Sequence, residues 1–107
     1  MKAWKILQKR VRDIFVECGL KAFDISYDTS KSADIILLKF PYLKIDCKRY
    51  QKFRHHAMLK EVKTKYCKSA GDIPILITKQ ANEQGELAVM PLGMLIELLK
   101  HYDINKK

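Results

Sequence analysis

Apolar residues recur at Trp4, Leu7, Val11, Ile14, Phe15 and Cys18. This i, i+3, i+4, i+7 spacing marks one buried stripe and predicts a helix from about Ala3 to Cys18, with Gly19 as its C-cap. The period then falls to two. Phe23, Ile25 and Tyr27 alternate with Ala22, Asp24 and Ser26, which predicts a strand over Lys21 to Tyr27. Asp28 to Ser32 has no apolar position and reads as a loop. Two strands are expected next, at Asp34 to Lys39 and Leu43 to Lys48, joined by a short turn around Pro41. Arg49 to Arg54 is a basic, aromatic connection. A second helix is predicted from His55 to Ser69, burying Met58, Leu59, Val62 and Tyr66 while Lys60, Lys63, Lys65 and Lys68 face out. Ile73 to Thr78 is a β-branched run expected to form a buried strand, and Leu87 to Met90 a further short one after a turn at Asn82 to Glu86. Pro91 suits the first turn of a last helix reaching about Tyr102, and the tail beyond is expected to fray. The order α-β-β-β-α-β-β-α defines an α/β class.

A length of 107 residues suits one domain over 1–107, and 48% hydrophobic residues provide for a core. The apolar stretches are too short to span a membrane. The start of the chain lacks the apolar segment of a secretory signal, so a cytoplasmic setting is expected. A net charge of +9, from 21 basic against 12 acidic residues, points to a polyanionic partner such as nucleic acid, although charge also serves solubility. The three cysteines (Cys18, Cys47, Cys67) are expected to be reduced thiols, and neither they nor His55-His56 have structural zinc spacing.

The chemistry concentrates in Asp46-Cys47-Lys48 and the upstream Asp34. On a strand, residues i and i+2 share a face, so Asp46 and Lys48 project together and Cys47 turns away. If the two strands pair as a hairpin, Asp34 at the start of the first meets Asp46 at the end of the second. Two carboxylates suit Mg²⁺, which keeps several waters and accepts phosphate oxygens. The backbone carbonyl of Cys47 offers another oxygen, and Lys48 can orient a water or stabilise charge on a phosphorane. The competing reading is a same-face Asp46–Lys48 ion pair, with Asp34 satisfying loop amides. Glu61-Val62-Lys63 repeats the triplet, but on a predicted helix with no paired acid, and reads as surface. Lys9, Arg10 and Arg12 on the first helix, with Lys31, Arg49, Lys52 and Arg54, are candidates for phosphate contacts. Tyr50 and Phe53 either stack on nucleic acid or, the more frequent fate, pack at a rim.

In element order and in Ala33-Asp34 with Asp46-Cys47-Lys48-Arg49, the chain resembles the PD-(D/E)xK nuclease superfamily, the restriction-endonuclease-like fold. Within it, the nearest likeness is to small archaeal- and phage-type Holliday-junction resolvases. The resemblance implies a central mixed sheet flanked by helices, metal ligation by Asp34 and Asp46, and catalysis by Lys48. It also implies a Mg²⁺-dependent endonuclease (Mn²⁺ substituting) acting on branched DNA as a homodimer, in the cytoplasm or, for a phage- or virus-encoded copy, that of the host. Ala33 stands in place of the motif's proline, and Asp46 where these resolvases usually carry glutamate. The family's loop serine maps to Ser32 or Ser30; its first-helix acid has no clean match, its place falling near Arg10, with Asp13 and Glu17 a turn or two later on the same flank. A nuclease of the same fold acting on nicked, single-stranded or linear DNA, and a binding module without turnover, are the alternatives.

Overall fold

The structure, a computed structural model, describes residues 3–24 and 33–105. Its elements are α1 (Ala3–Glu17), β1 (Ala22–Asp24), β2 (Ile35–Leu37), β3 (Leu43–Tyr50), α2 (His55–Tyr66), β4 (Ile73–Gln80), β5 (Leu87–Val89) and α3 (Leu92–Asn105). The five strands form one mixed sheet in the order β1-β2-β3-β4-β5. β3 and β4 pair in parallel, and the other neighbours are antiparallel. A parallel pair needs a long crossover, and α2 supplies it. The α/β class expected from the sequence is therefore observed.

Residue alternation on β3 and β4 decides what each face carries. Ile45 and Cys47 stand beside Ile75 and Ile77, and all four belong to a core that includes Leu7 and Val11 of α1. Asp46, Lys48, Leu76 and Thr78 turn to the opposite face. Both faces of β4 are thus buried from Ile73 to Thr78, as a near-continuous apolar run requires. Pro74 is accommodated because its neighbour Ile73 donates its N–H to the Tyr42 carbonyl at 2.8 Å, on the β3 side. Successive residues alternate their ladder direction, so the proline nitrogen faces the β5 side, where pairing begins only at Leu76.

The end of α1 follows its sequence. Leu20 N–H donates to Phe15 O (3.0 Å) and Gly19 N–H to Val16 O (2.9 Å), with Gly19 at φ +89°. This is a Schellman close, and glycine takes the left-handed conformation without a Cβ penalty.

Several expectations need correction. The stripe on α1 buries Leu7 and Val11, but Ile14 is 37% exposed and Cys18 is exposed; Gln8 is buried in their stead. α1 packs mainly against β1 and β3 and meets the short β2 at few positions. β1 turns Ala22 inward and leaves Phe23 half exposed, since α2 lies over β3 and β4 rather than over β1. β3 and β4 each run two residues beyond expectation, to Tyr50 and Gln80, because parallel pairing continues through Arg49–Lys79 and Tyr50–Gln80. α2 stops at Tyr66, where Cys67 leaves helical geometry and Ser69 N–H is caught by Asp72 Oδ2 at 3.0 Å. Residues 25–27, Ser30, Lys31, Ser32 and the side chain of Trp4 lie outside the described residues. No helix among the described residues is long and apolar enough to cross a membrane.

Candidate active site

Ile35 of β2 pairs with Ile45 of β3, which sets Asp34 opposite Asp46. At Ile45 and Cys47 the backbone N–H and C=O face β2, because Tyr42 and Tyr50 direct their carbonyls toward Ile73 and Ala81 on the other side. Where the β2–β3 ladder opens, the Asp34 carboxylate takes its next bond: Cys47 N–H donates to Asp34 Oδ2 at 2.9 Å. The Cys47 carbonyl faces the same side. Asp34 and Asp46 thus stand opposite one another on one face of the sheet, close enough for each to bear on the other's charge. Lys48 Nζ lies 3.4 Å from Asp46 Oδ2, an ion pair longer than a tight hydrogen bond.

Asp46 is only 4% exposed. Burial pushes its carboxyl up to about 7, and Asp34 adds to the rise by hydrogen bonding and by repulsion; Lys48 pulls the other way. Burial opposes the charge on Lys48, but Asp46, Tyr50 and Asp34 outweigh it and hold the ammonium above its ordinary value. The Cys47 thiol, on the other face, is pushed up by burial first and by the two carboxylates next. Two acids that repel one another in a low-dielectric place, with one lysine beside them, are short of positive charge.

This donor set fits one hard divalent cation. Mg²⁺ is bound through one or two carboxylates and keeps water and phosphate as its other ligands. Asp34 and Asp46 supply that number, with the Cys47 carbonyl on the adjacent side. Among the described residues no group of three or more His, Cys, Asp or Glu forms that could make a closed all-protein cage. Glu17 is exposed, and the charge it meets is that of Arg10. Ser32 lies outside the described residues.

The basic candidates divide into two groups. Arg12 is held by Asp24 (Nη1–Oδ1, 2.6 Å) and Asp13, and Arg10 by Glu86 (Nε to Oε1 and Oε2, 3.0 and 3.1 Å). Lys9, Arg49, Lys52 and Arg54 are exposed. Tyr50, Phe53 and His55 form a chain of rings beyond Lys48: Tyr50–Phe53 centroids are 5.7 Å apart, and Phe53 and His55 stack within 3° of parallel at 5.7 Å.

Two neighbours of the site escaped the sequence reading, and Tyr50, read there as a stacking or rim residue, shares the Lys48 face once β3 is extended by two residues. Thr78, buried, stands beside Lys48 in the parallel register. Lys65 of α2, held charged chiefly by Tyr66, also feels Asp46 and Lys48. Thr78 had a signal, being the one polar residue closing an apolar run. Lys65 had none, because its approach depends on how α2 docks.

No protein-family model matches the chain. No curated protein matches it either.

Proposed function

We propose that the chain is a metal-dependent endonuclease of the restriction-endonuclease-like type, hydrolysing phosphodiester bonds in DNA and selective for branched structures. The observation that carries this reading is the convergence of Asp34 and Asp46 beside Lys48 on one face of β3, in a protein of charge +9. When bound, Mg²⁺ (or Mn²⁺) would polarise a phosphate oxygen and make a coordinated water acidic. Asp34 and Asp46 would hold it. Lys48, kept charged by Asp46, is placed to donate hydrogen bonds to a non-bridging phosphate oxygen and to stabilise the charge that develops there. Lys52 and Arg54, exposed past the end of β3, extend a positive path along which backbone phosphates can lie.

Cutting a four-way junction symmetrically requires two copies of the site, and α3 offers the surface for a homodimer. Leu92, Met94, Leu95, Ile96, Leu99 and Tyr102 are all exposed on it. Light scattering of wild type and Leu95→Lys tests this: a dimer that Leu95→Lys splits is expected, and a monomeric wild type removes the dimer from the proposal.

The deciding experiment incubates the protein with synthetic four-way junction, flap, nicked, single-stranded and duplex DNA, with Mg²⁺, with Mn²⁺ and with EDTA. Metal-dependent cuts that vanish in Asp34→Ala and Asp46→Ala while binding persists are expected. Binding without cleavage in any metal would leave a nucleic-acid-binding module. Unchanged cleavage in both variants would refute the site.

A further inference from the structure

On the face of the sheet away from Asp46 lies a cavity of about 230 Å³, lined by Ile6, Leu7 and Arg10 of α1, Arg49 of β3, Lys79 of β4, and Glu86. Its charge arrangement is unusual. Arg49 and Lys79 are direct neighbours in the parallel register, so two cations stand side by side on one face. Like charges at such positions destabilise a sheet. Glu86 is the one acid in the lining, and both of its oxygens are engaged by Arg10 Nε. That clamp leaves the Arg10 Nη groups without a hydrogen-bond partner among the described residues. Lys79 Nζ donates to the Gln80 and Glu83 carbonyls, which fix its position without neutralising it. Arg49 has neither acid nor hydrogen bond among the described residues. Three cations against one anion, around a hollow with an aliphatic floor, match an incoming anion that accepts several hydrogen bonds. Guanidinium groups meet phosphate in a two-pronged geometry that lysine alone does not provide.

We propose that this cavity is a second phosphate-binding site, filled by a backbone phosphate of the nucleic acid. Lys48 and Arg49 are consecutive on β3 and point to opposite faces, so the two sites are one sheet thickness apart at the same end of the strand. A nucleic acid occupying both must pass around the end of β3 and β4. A nicked, flapped or branched substrate can do this more readily than a straight duplex lying on one face. The source of the phosphate rests on the nucleic-acid reading above; the affinity of the cavity for phosphate does not.

The test is fluorescence anisotropy with labelled junction and duplex DNA in EDTA, over a range of salt, on wild type, Arg49→Ala, Arg49→Glu and Lys100→Ala. Arg49 is exposed and pairs with no acid among the described residues, so its replacement keeps the fold and, by relieving the repulsion with Lys79, holds or slightly raises the thermal midpoint; Lys100, on α3, is the remote control. Losing one phosphate contact lowers the slope of log affinity against log salt by about 0.9, with roughly fivefold weaker binding at moderate salt. Arg49→Glu is expected to lose more, and Lys100→Ala nothing. The loss should be larger on the junction than on the duplex. Affinity and slope equal to wild type in both Arg49 variants would overturn the proposal. A second arm follows the Leu7 and Arg49 amides by NMR during additions of inorganic phosphate and of thymidine monophosphate. Weak millimolar shifts from both are expected; saturation by the mononucleotide at micromolar levels, with DNA binding indifferent to Arg49, would make this a nucleotide pocket instead. Cleavage is scored separately through Asp46→Ala. An Arg49 effect without any cleavage leaves this site standing while the nuclease reading falls, and the reverse result does the opposite.

Discussion

Replacing Asp46 by asparagine should stabilise the metal-free protein at neutral pH, and the size of the effect follows from the position of the carboxyl. Its pKa rises from an ordinary 3.8 to about 7 on folding, through burial first and Asp34 second. Between those two values the folded chain binds more protons than the unfolded one. Stability therefore falls as pH rises from about 4 to about 7, and the whole penalty is present above 7. At about 1.4 kcal/mol for each pH unit, the upper bound is about 4 kcal/mol. Proton sharing with Asp34 spreads the titration over the pair, so about 2–4 kcal/mol is the expected range. Asparagine keeps the shape, removes the charge and offers its amide to the Asp34 carboxylate. Urea unfolding of wild type and Asp46→Asn in EDTA from pH 5 to 8 measures this. The difference between the two should grow with pH to that range in favour of the variant, a rise of roughly 10–20 °C in thermal midpoint for a chain of this size. Because both proteins carry the same histidines, the difference reports the Asp34–Asp46 pair. A variant no more stable than wild type at pH 8, or a gap that does not change with pH, would refute the buried carboxylate pair. Added Mg²⁺ should then stabilise wild type at pH 8 and leave Asp46→Asn nearly unaffected.

Other outcomes follow from the same geometry. Lys48→Ala should reduce the rate of the chemical step by about 10²–10³ with little change in DNA affinity, read by single-turnover cleavage against anisotropy; a loss confined to affinity would make Lys48 a phosphate clamp. Leu76→Ala, at a position 0% exposed, should cost about 2–5 kcal/mol in urea unfolding. A chromogenic thiol reagent should titrate Cys18 at once and Cys67 more slowly, but Cys47 only on unfolding, since Cys47 is buried with its thiol pushed up. Reaction of all three at one fast rate would contradict the packing of β3.

The strand positions were legible wherever local pattern and tertiary environment agree. Ile73 to Thr78 reads as a buried strand because both of its faces are covered, and the turn at Pro41 marks the hairpin that brings Asp34 to Asp46. Strand ends were not legible. Arg49, Tyr50, Lys79 and Gln80 carry no apolar alternation, and only pairing with one another keeps them extended. The stripe on α1 was misjudged at Ile14 and Cys18 because periodicity reports which residues share a side, not how much sheet lies beneath them. Among the candidate contacts, Arg10 and Arg12 could be found as cations. The acid that holds Arg10 could not: Glu86 is 76 positions away, and nothing local links the two.

The bond from Cys47 N–H to the Asp34 carboxylate makes one side chain both a fastener of the hairpin and half of the acid pair. These duties tolerate different replacements. Asparagine retains an oxygen for the amide and preserves the pairing while forfeiting negative charge; glutamate preserves the charge but, a methylene longer, cannot hold both the amide and its place opposite Asp46. If the proposed nuclease reading holds, a relative that had lost turnover would be expected to carry asparagine at position 34, an outwardly intact sheet with a silent centre.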